Sequence, residues 1–276
     1  MNIHINKIFK IHLRKNAYLK PSYKIEKDVN FNNIKPPYKY IFFRLYDVEY
    51  LNPLLPGNIL KFGVDATEIY DVHASHVSIN FSLQDNFYGL TTGGKYQLAR
   101  EYCTQSEINK FTKQCNPKYS NQITYALRVN EEEYKKVQKF VEDYASSKEI
   151  RFDILQDFQL ASFATKRKFF TDKDEQLFGH VNYPKDKYRR LIKKIRGENE
   201  KENYFVCSSF IAYSLIKNVP RIRNWFKKND INYRYVNVTD VVNIPGTAKL
   251  FASKFYEYNK AAREFTNFHK EFIPYL

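Results

Sequence analysis

The chain has 276 residues and a formal net charge of +15, and its 43% hydrophobic and 17% aromatic content is enough for a packed core. No run approaches the roughly 18 apolar residues of a membrane span, and basic residues are spaced through 1–20, where a signal peptide is apolar. We therefore expect a soluble, globular protein made without a cleaved signal. The cytoplasm and a virus particle both fit this expectation.

The positive charge is concentrated in two segments. Residues 1–40 hold nine Lys or Arg and two acids, and residues 181–228 hold thirteen and four, so the rest of the chain is close to neutral. Such patches suit an anionic cell-wall polymer or a membrane surface, with nucleic acid as the less favoured partner. A solvated, lysine-rich surface that binds nothing is the alternative interpretation.

The cysteine pattern argues against cross-links and metal. The three cysteines are an odd number, with no CxxC pair and no histidine at ligand spacing: Cys103, Cys115 and Cys207. Neither a disulfide framework nor a structural zinc site is predicted. We expect reduced thiols and neither a metal nor an organic cofactor.

The chain is predicted to have three parts. Residues 1–37 show little apolar periodicity and end in Lys-Pro-Pro, which predicts a basic N-terminal arm that lies on the domain or reaches a partner protein. Residues 38–250 are predicted to form the domain, which opens with a strand-like aromatic run over 38–46. Residues 251–276 are predicted to be a C-terminal helical extension.

A β-hairpin is predicted over residues 72–91. Alternation places three apolar side chains on the core face: Val77, Ile79 and Phe81. It places three polar side chains together on the opposite, accessible face: His76, Ser78 and Asn80. With a turn at Gln-Asp-Asn, Thr91 lies across from Ser78 in this register.

A strand followed by a helix is predicted next. The strand covers residues 123–129, and Asn130 with three following glutamates marks the start of a helix that continues to about residue 146. The helix carries one apolar stripe, formed by Tyr134, Val137, Val141 and Tyr144. A strand and a helix with a stripe to bury predict an α+β arrangement in layers.

Cys207 is placed where an aromatic run changes into an amphipathic helix. A small buried hydrophobe is the first interpretation of such a cysteine. A nucleophile at the same place gains from the helix dipole, and the amide of Cys207 or Ser208 is a reasonable oxyanion donor. A histidine on a strand packed against the helix would complete the chemistry, and His76 is in a suitable place.

These residues resemble the circularly permuted papain-like proteins of the NlpC/P60 superfamily, in which a histidine-bearing strand precedes the cysteine-bearing helix. The resemblance spans about residues 40–250 and lies in five short segments: 75–83, 86–90, 93–94, 125–129 and 205–213. It implies a papain-like α+β core with an antiparallel sheet packed on the cysteine helix. It further implies Cys207 as nucleophile and His76 as base, with His73 as the alternative base.

The chain departs from the family at the third catalytic position, which orients the histidine. Thr91 is the candidate from the predicted register, followed by Tyr88 and Asn80, and a backbone carbonyl can also serve. The expected activity is a cysteine hydrolase that cleaves amide or ester bonds through an acyl-enzyme. Peptidoglycan peptides are the first substrate class and acyl-lipid thioesters the second. The alternative is a weakly active or inactive papain-like scaffold that serves as a structural or binding component, for example of a phage particle.

Overall fold

A computed structural model describes residues 24–31, 34, 36–46, 74, 76–84, 87–90, 98–101, 121–147, 150–152, 203–254 and 257–276. The strands within these residues are β1 (Lys24–Ile25), β2 (Tyr38–Tyr46), β3 (His76–Asn80), β4 (Phe87–Leu90), β5 (Leu98–Glu101), β6 (Asn121–Asn130), β7 (Ile150–Phe152), β8 (Asn203–Phe205) and β9 (Thr247–Lys254). The helices are α1 (Glu131–Ser147), α2 (Cys207–Asn218), α3 (Pro220–Lys228) and α4 (Tyr258–Phe268), and short 3-10 helices cover Tyr233–Tyr235, Thr239–Asn243 and Lys270–Tyr275.

Seven strands form one antiparallel sheet in the order β1-β9-β6-β2-β3-β4-β5. The long central strand β2 pairs with β6 from Tyr38 opposite Asn130 to Tyr46 opposite Gln122. A separate parallel pair joins β7 to β8. The predicted α+β class with an antiparallel sheet is confirmed.

Both faces of the sheet are covered, which explains why nearly all of β2 is buried. One face, here called the α2 face, carries Ile41, Phe43 and Leu45 and packs in one apolar cluster with α1, α2 and α3. The other, here called the α4 face, carries Tyr40 and Phe42 and packs with α4 and the C-terminal 3-10 helix. Because β2 alternates between two apolar layers, it has no solvent side.

The start of α1 follows from its sequence. The side chain of Asn130 accepts a hydrogen bond from the Glu133 amide at 2.8 Å, and the Glu133 carboxylate accepts one from the Asn130 amide at 3.0 Å. This reciprocal cap satisfies two amides at the helix end. Val137 and Val141 are buried on the α2 face, so the predicted helix and its stripe are confirmed.

Where they are described, segments near both ends of the chain take part in the sheet or in the layer on its α4 face. β1 belongs to the predicted arm, yet it pairs with β9 at the edge of the sheet, and Phe31 is buried on the α4 face. β9 crosses the predicted boundary at residue 250 as a strand. Among the described residues, α4 and the C-terminal 3-10 helix pack on the α4 face together with Phe31.

The C-terminus is tied to the hairpin. The Tyr275 hydroxyl accepts a hydrogen bond from the Tyr40 amide at 3.3 Å, and the Tyr275 carbonyl accepts one from the Leu83 amide at 2.6 Å. The polar face of β3 is therefore closed: Ser78 and Asn80 are buried rather than accessible as predicted. Single-strand alternation identified the correct residues for each face but not what covers them.

The hairpin register also differs from the predicted one. β3 ends at Asn80, whose side-chain amide donates to Ser82 Oγ at 3.2 Å and to the Gln84 carbonyl at 3.0 Å in the turn. Ile79 pairs with Tyr88, which places Gly89 opposite Ser78, where Thr91 was predicted. The six-residue connection from 81 to 86 is longer than the assumed three-residue turn, and it shifts the pairing by two residues.

Candidate active site at the start of helix α2

Cys207 is the first residue of α2. The chain leaves β8 at Phe205, passes through Val206 in extended conformation (φ −91°, ψ 166°) and turns directly into the helix. The Phe210 amide donates to the Val206 carbonyl at 3.0 Å, which closes the first helical turn. Cys207 therefore stands where a strand changes into a helix, as the sequence predicted.

The thiol is buried among apolar side chains. Cys207 is a free cysteine with 6% of its surface exposed, and it belongs to the α2-face cluster together with Val236 and Val238. This environment is the one expected for a packing cysteine. Its place at a helix N-terminus is the one expected for a nucleophile.

The first turn of α2 offers donors at its N-terminal end. The first amides of an α-helix have no acceptor within the helix, and their dipoles point towards negative charge. Ser209 Oγ accepts from the Val206 amide at 3.0 Å, and Ser208 Oγ donates to the Val236 carbonyl at 2.7 Å. The amides of Cys207 and Ser208 belong to this first turn.

The N-terminal end of α2 lies at the end of the sheet where β3 begins. α1 starts beside the Tyr38 end of β2 and runs back along the sheet. Tyr144, near the end of α1, contacts Phe210, and Phe140, one turn earlier, contacts Tyr213, with ring centroids 6.4 and 5.9 Å apart. The two helices are thus antiparallel, and Cys207 is at the Tyr46 end.

His76 is at the same end of the sheet but on the other face. It pairs with Tyr46 in the β2–β3 ladder, and the two ring centroids are 4.9 Å apart. Tyr46 and Arg44 share the α4 face, since the Arg44 guanidinium lies over the Tyr258 ring of α4 at 5.7 Å. The structure brings the predicted pair to one end of the sheet and not to one face.

Two of the three predicted third residues are described, namely Tyr88 and Asn80. Tyr88 pairs with Ile79 and lies on the α2 face, and Asn80 is engaged in the hairpin turn. Thr91, the first candidate, lies outside the described residues, as do His73, Cys103 and Cys115.

Arg44 is the residue near His76 that the sequence analysis missed. It is completely buried, and its guanidinium lies 4.6 Å from the centroid of Phe87 and 5.8 Å from that of Tyr46. The sequence did carry a signal for a buried cation, because Arg44 interrupts the otherwise mostly aromatic and aliphatic run of β2. A buried cation surrounded by ring faces is stabilised by their quadrupoles.

Part of the predicted basic segment has a structural role. Arg221 donates to the carbonyls of Pro245, at 2.8 Å, and Arg128, while Arg223 donates to the carbonyls of Ile216 and Lys217 at 2.8 and 2.6 Å. The exposed cations of α2 and α3 are lysines, namely Lys217, Lys227 and Lys228. Residues 185–201, which carry much of the predicted charge, lie outside the described residues.

The described residues include neither a membrane-spanning helix nor a cluster of metal ligands. None of their helices has the length and apolar character needed to cross a bilayer. Nor do their His, Cys, Asp and Glu side chains form a group of three placed to hold a metal ion.

The chain was also compared with known proteins. Comparisons with protein-family models, with curated proteins and with solved structures find no significant match, so the resemblance to the NlpC/P60 superfamily stays a prediction from the motifs.

Proposed function

We propose that this chain is a cysteine hydrolase on a permuted papain-like core, with Cys207 as the nucleophile of an acyl-enzyme mechanism. The observation that carries the proposal is the position of Cys207 as the first residue of α2, at the end of the sheet where the histidine-bearing strand begins. A thiol in that position has helix amides beside it and a strand histidine at the same sheet end.

The reaction transfers an acyl group in two steps. The sulfur of Cys207 attacks the carbonyl carbon of an amide or ester as the imidazole takes the thiol proton, and the amides of Cys207 and Ser208 stabilise the oxyanion. The imidazolium then protonates the departing amine or alcohol. Water, deprotonated by the imidazole, attacks the thioester, and the released thiol regains its proton.

His76 is the proposed base and His73 the alternative. Among the described residues the β2–β3 ladder ends at the pair of His76 with Tyr46, and the imidazole must leave the α4 face to reach the thiol. A base must come within about 2.6–3.2 Å of the proton it takes, and such contacts often form only in the substrate complex. We therefore assign the final approach of His76 to the substrate-bound state.

The surroundings of the thiol favour an apolar acyl group. Phe205, Val236 and Val238 belong to the same buried cluster as Cys207. An aliphatic chain replaces such contacts at little cost, whereas a charged wall peptide would lose its hydration. Among the two expected substrate classes, acyl esters and thioesters are therefore preferred here over peptidoglycan peptides.

Alkylation tests the nucleophile and the base together. Iodoacetamide near neutral pH is expected to label Cys207 faster than Cys103 and Cys115, with the sites mapped by peptide mass spectrometry. Asparagine variants of His76 and His73, made separately, are expected to show which imidazole supports that reactivity. If Cys207 labels no faster than the other two cysteines in the folded protein, the activated nucleophile is excluded.

A second function is favoured by the separation of the two residues. With His76 against Tyr46 on the α4 face and the thiol nearly inaccessible, the scaffold serves equally well as an inactive binding or structural component. Its basic segments would then bind an anionic polymer. Salt-sensitive binding to such a polymer that persists in Cys207→Ala, without ester hydrolysis by the unmodified protein, would identify this function.

A further inference from the structure

A short irregular segment lies over the beginning of α2. Residues 231–246, here called the strap, consist of turns and two 3-10 helices that pack against α2. The backbone hydrogen bonds within the strap are local, such as Val236 amide to Tyr233 carbonyl at 3.3 Å and Val241 amide to Val238 carbonyl at 3.4 Å. The strap also buries four apolar side chains, so its opening exposes apolar surface as well as breaking hydrogen bonds: Val236, Val238, Val241 and Ile244.

The ends and the middle of the strap are fixed differently. At its ends, the Ile231 amide donates to the Phe226 carbonyl at 2.9 Å and Arg221 donates to the Pro245 carbonyl at 2.8 Å. In the middle, the Ser208 hydroxyl donates to the Val236 carbonyl at 2.7 Å, and both residues are about 1% exposed. The middle of the strap is thus tied to the residue that follows Cys207.

We infer that the strap is a gate over Cys207 and that the Ser208–Val236 hydrogen bond is its latch; this inference rests on the proposed function, in which a substrate must reach the thiol. The strap contributes Val236 and Val238 to the cluster that buries Cys207. Since Cys207 is only 6% exposed, we assign the entry of an acyl group to an opening of the strap.

The latch is placed to couple opening to catalysis. Its donor sits on Ser208, whose amide is one of the proposed oxyanion donors, so the same residue holds the gate and faces the reacting carbonyl. Loss of the hydroxyl leaves the Val236 carbonyl buried without this donor, which favours the open strap, where water can satisfy it. Ser208 is therefore a positioning residue that acts through the strap.

The chain supplies a matched control. Ser214 lies on the same helix, is also fully buried, and donates to the Phe210 carbonyl of its own helix at 2.8 Å rather than to the strap. Ser208→Ala is expected to raise the rate of Cys207 alkylation by iodoacetamide about fivefold to tenfold, the effect of a hydrogen bond of ordinary strength. Ser214→Ala is expected to leave that rate unchanged once both rates are corrected for global stability measured in urea.

Hydrogen exchange gives the second measurement. Ser208→Ala is expected to speed amide exchange within residues 236–244 and not within β2, whereas Ser214→Ala changes neither. Equal alkylation rates for the two variants, or faster exchange throughout the Ser208→Ala protein, would overturn the gate. Failure of the hydrolase proposal looks different: the histidine variants then leave Cys207 reactivity unchanged while Ser208→Ala still differs from Ser214→Ala.

Discussion

The imidazole of His76 and the ring of Tyr46 face each other across the β2–β3 ladder, with centroids 4.9 Å apart and ring planes inclined by 51°. Tyr46 is buried, so this contact fixes the side of the sheet on which His76 lies. Cys207 lies at the same end of the sheet, in the layer that covers the opposite, α2 face. Because the two residues lie on opposite faces, variants of Cys207 can test the reactivity of the thiol and its contribution to packing independently of His76.

Cys207 variants are expected to be stable but unreactive. Cys207→Ala removes one small buried group from an apolar cluster, and we expect a loss of about 1 kcal/mol in the free energy of unfolding. Cys207→Ser buries a hydroxyl in the same cluster and is expected to cost more, about 1–3 kcal/mol. Urea unfolding followed by circular dichroism measures both. A larger loss for alanine than for serine would show that the surroundings of the sulfur are polar.

Arg221 is expected to matter more for stability than its position on the basic helix α3 suggests. Its guanidinium joins α3 to β6, through the Arg128 carbonyl, and to the turn before β9, through the Pro245 carbonyl. We expect Arg221→Ala to lower the unfolding free energy by about 2–3 kcal/mol, because two carbonyls lose charge-assisted donors. Arg221→Lys should recover little of this unfolding free energy, since a single ammonium group cannot reproduce the two donors that the guanidinium directs at the two carbonyls.

Lys227→Ala is the matched control for that measurement. Lys227 is an exposed cation on the same helix, and its loss is expected to change the unfolding free energy by less than about 0.5 kcal/mol. Equal effects of the two alanine variants on urea unfolding would mean that the arginine contributes charge and not hydrogen bonding.

Local signals in the sequence were sufficient for single elements. The Asn130 cap, the α1 stripe and the strand before them depend on neighbours a few residues apart, and the structure confirms them. The burial of Ser78 depends instead on the second layer formed by residues 258–276, far away in the chain. No pattern within β3 carries information about that layer, so the polar face was predicted to be accessible.

The relative position of His76 and Cys207 also depended on contacts between elements far apart in the chain. Their order in the chain and the packing of α2 on β3 could be predicted, and both place the residues at one sheet end. Alternation also placed His76 on the face opposite Val77, as observed, but it did not show which face α2 covers. The covering of each face depends on helices far away in the chain, which no pattern within β3 reveals.

Acid is expected to weaken the attachment of the N-terminal strand. Burial alone raises the pKa of Glu26, but Lys249 at 2.9 Å and Lys24 at 3.4 Å outweigh it and hold this pKa below its usual 4.5. A lowered pKa contributes stability above the unfolded-state value, and that stability is lost as pH falls through the folded-state value. Glu26 is partly exposed, so the contribution is about 0.5 kcal/mol.

The measurement compares the unmodified protein with Glu26→Gln between neutral pH and about pH 3. The difference in unfolding free energy should be present at neutral pH and vanish in acid. A difference that stays constant over this range would assign the effect to hydrogen bonding and not to charge.

Alkali is expected to destabilise the sheet through Tyr125. Burial, assisted by the negative charge of Glu26, raises the pKa of Tyr125 to about 12 from its usual 10. A raised pKa contributes stability that is complete below the unfolded-state value and is lost as pH rises through the folded-state value, so the loss falls between about pH 10 and 12. Tyr125→Phe removes this contribution, and its unfolding free energy should fall less steeply in that window.

Tyr134→Phe provides the comparison, because burial raises the pKa of Tyr134 to about 12 as well, but its hydroxyl also donates to the Phe81 carbonyl at 2.8 Å. At neutral pH, Tyr134→Phe should therefore lose about 1 kcal/mol, the net value of an ordinary hydrogen bond, and Tyr125→Phe should lose less. Urea unfolding at stepped pH, with tyrosinate absorbance recorded in parallel, measures both effects. If Tyr125→Phe and the unmodified protein lose stability in parallel above pH 10, the buried hydroxyl ionises without cost and the assigned burial of Tyr125 is wrong.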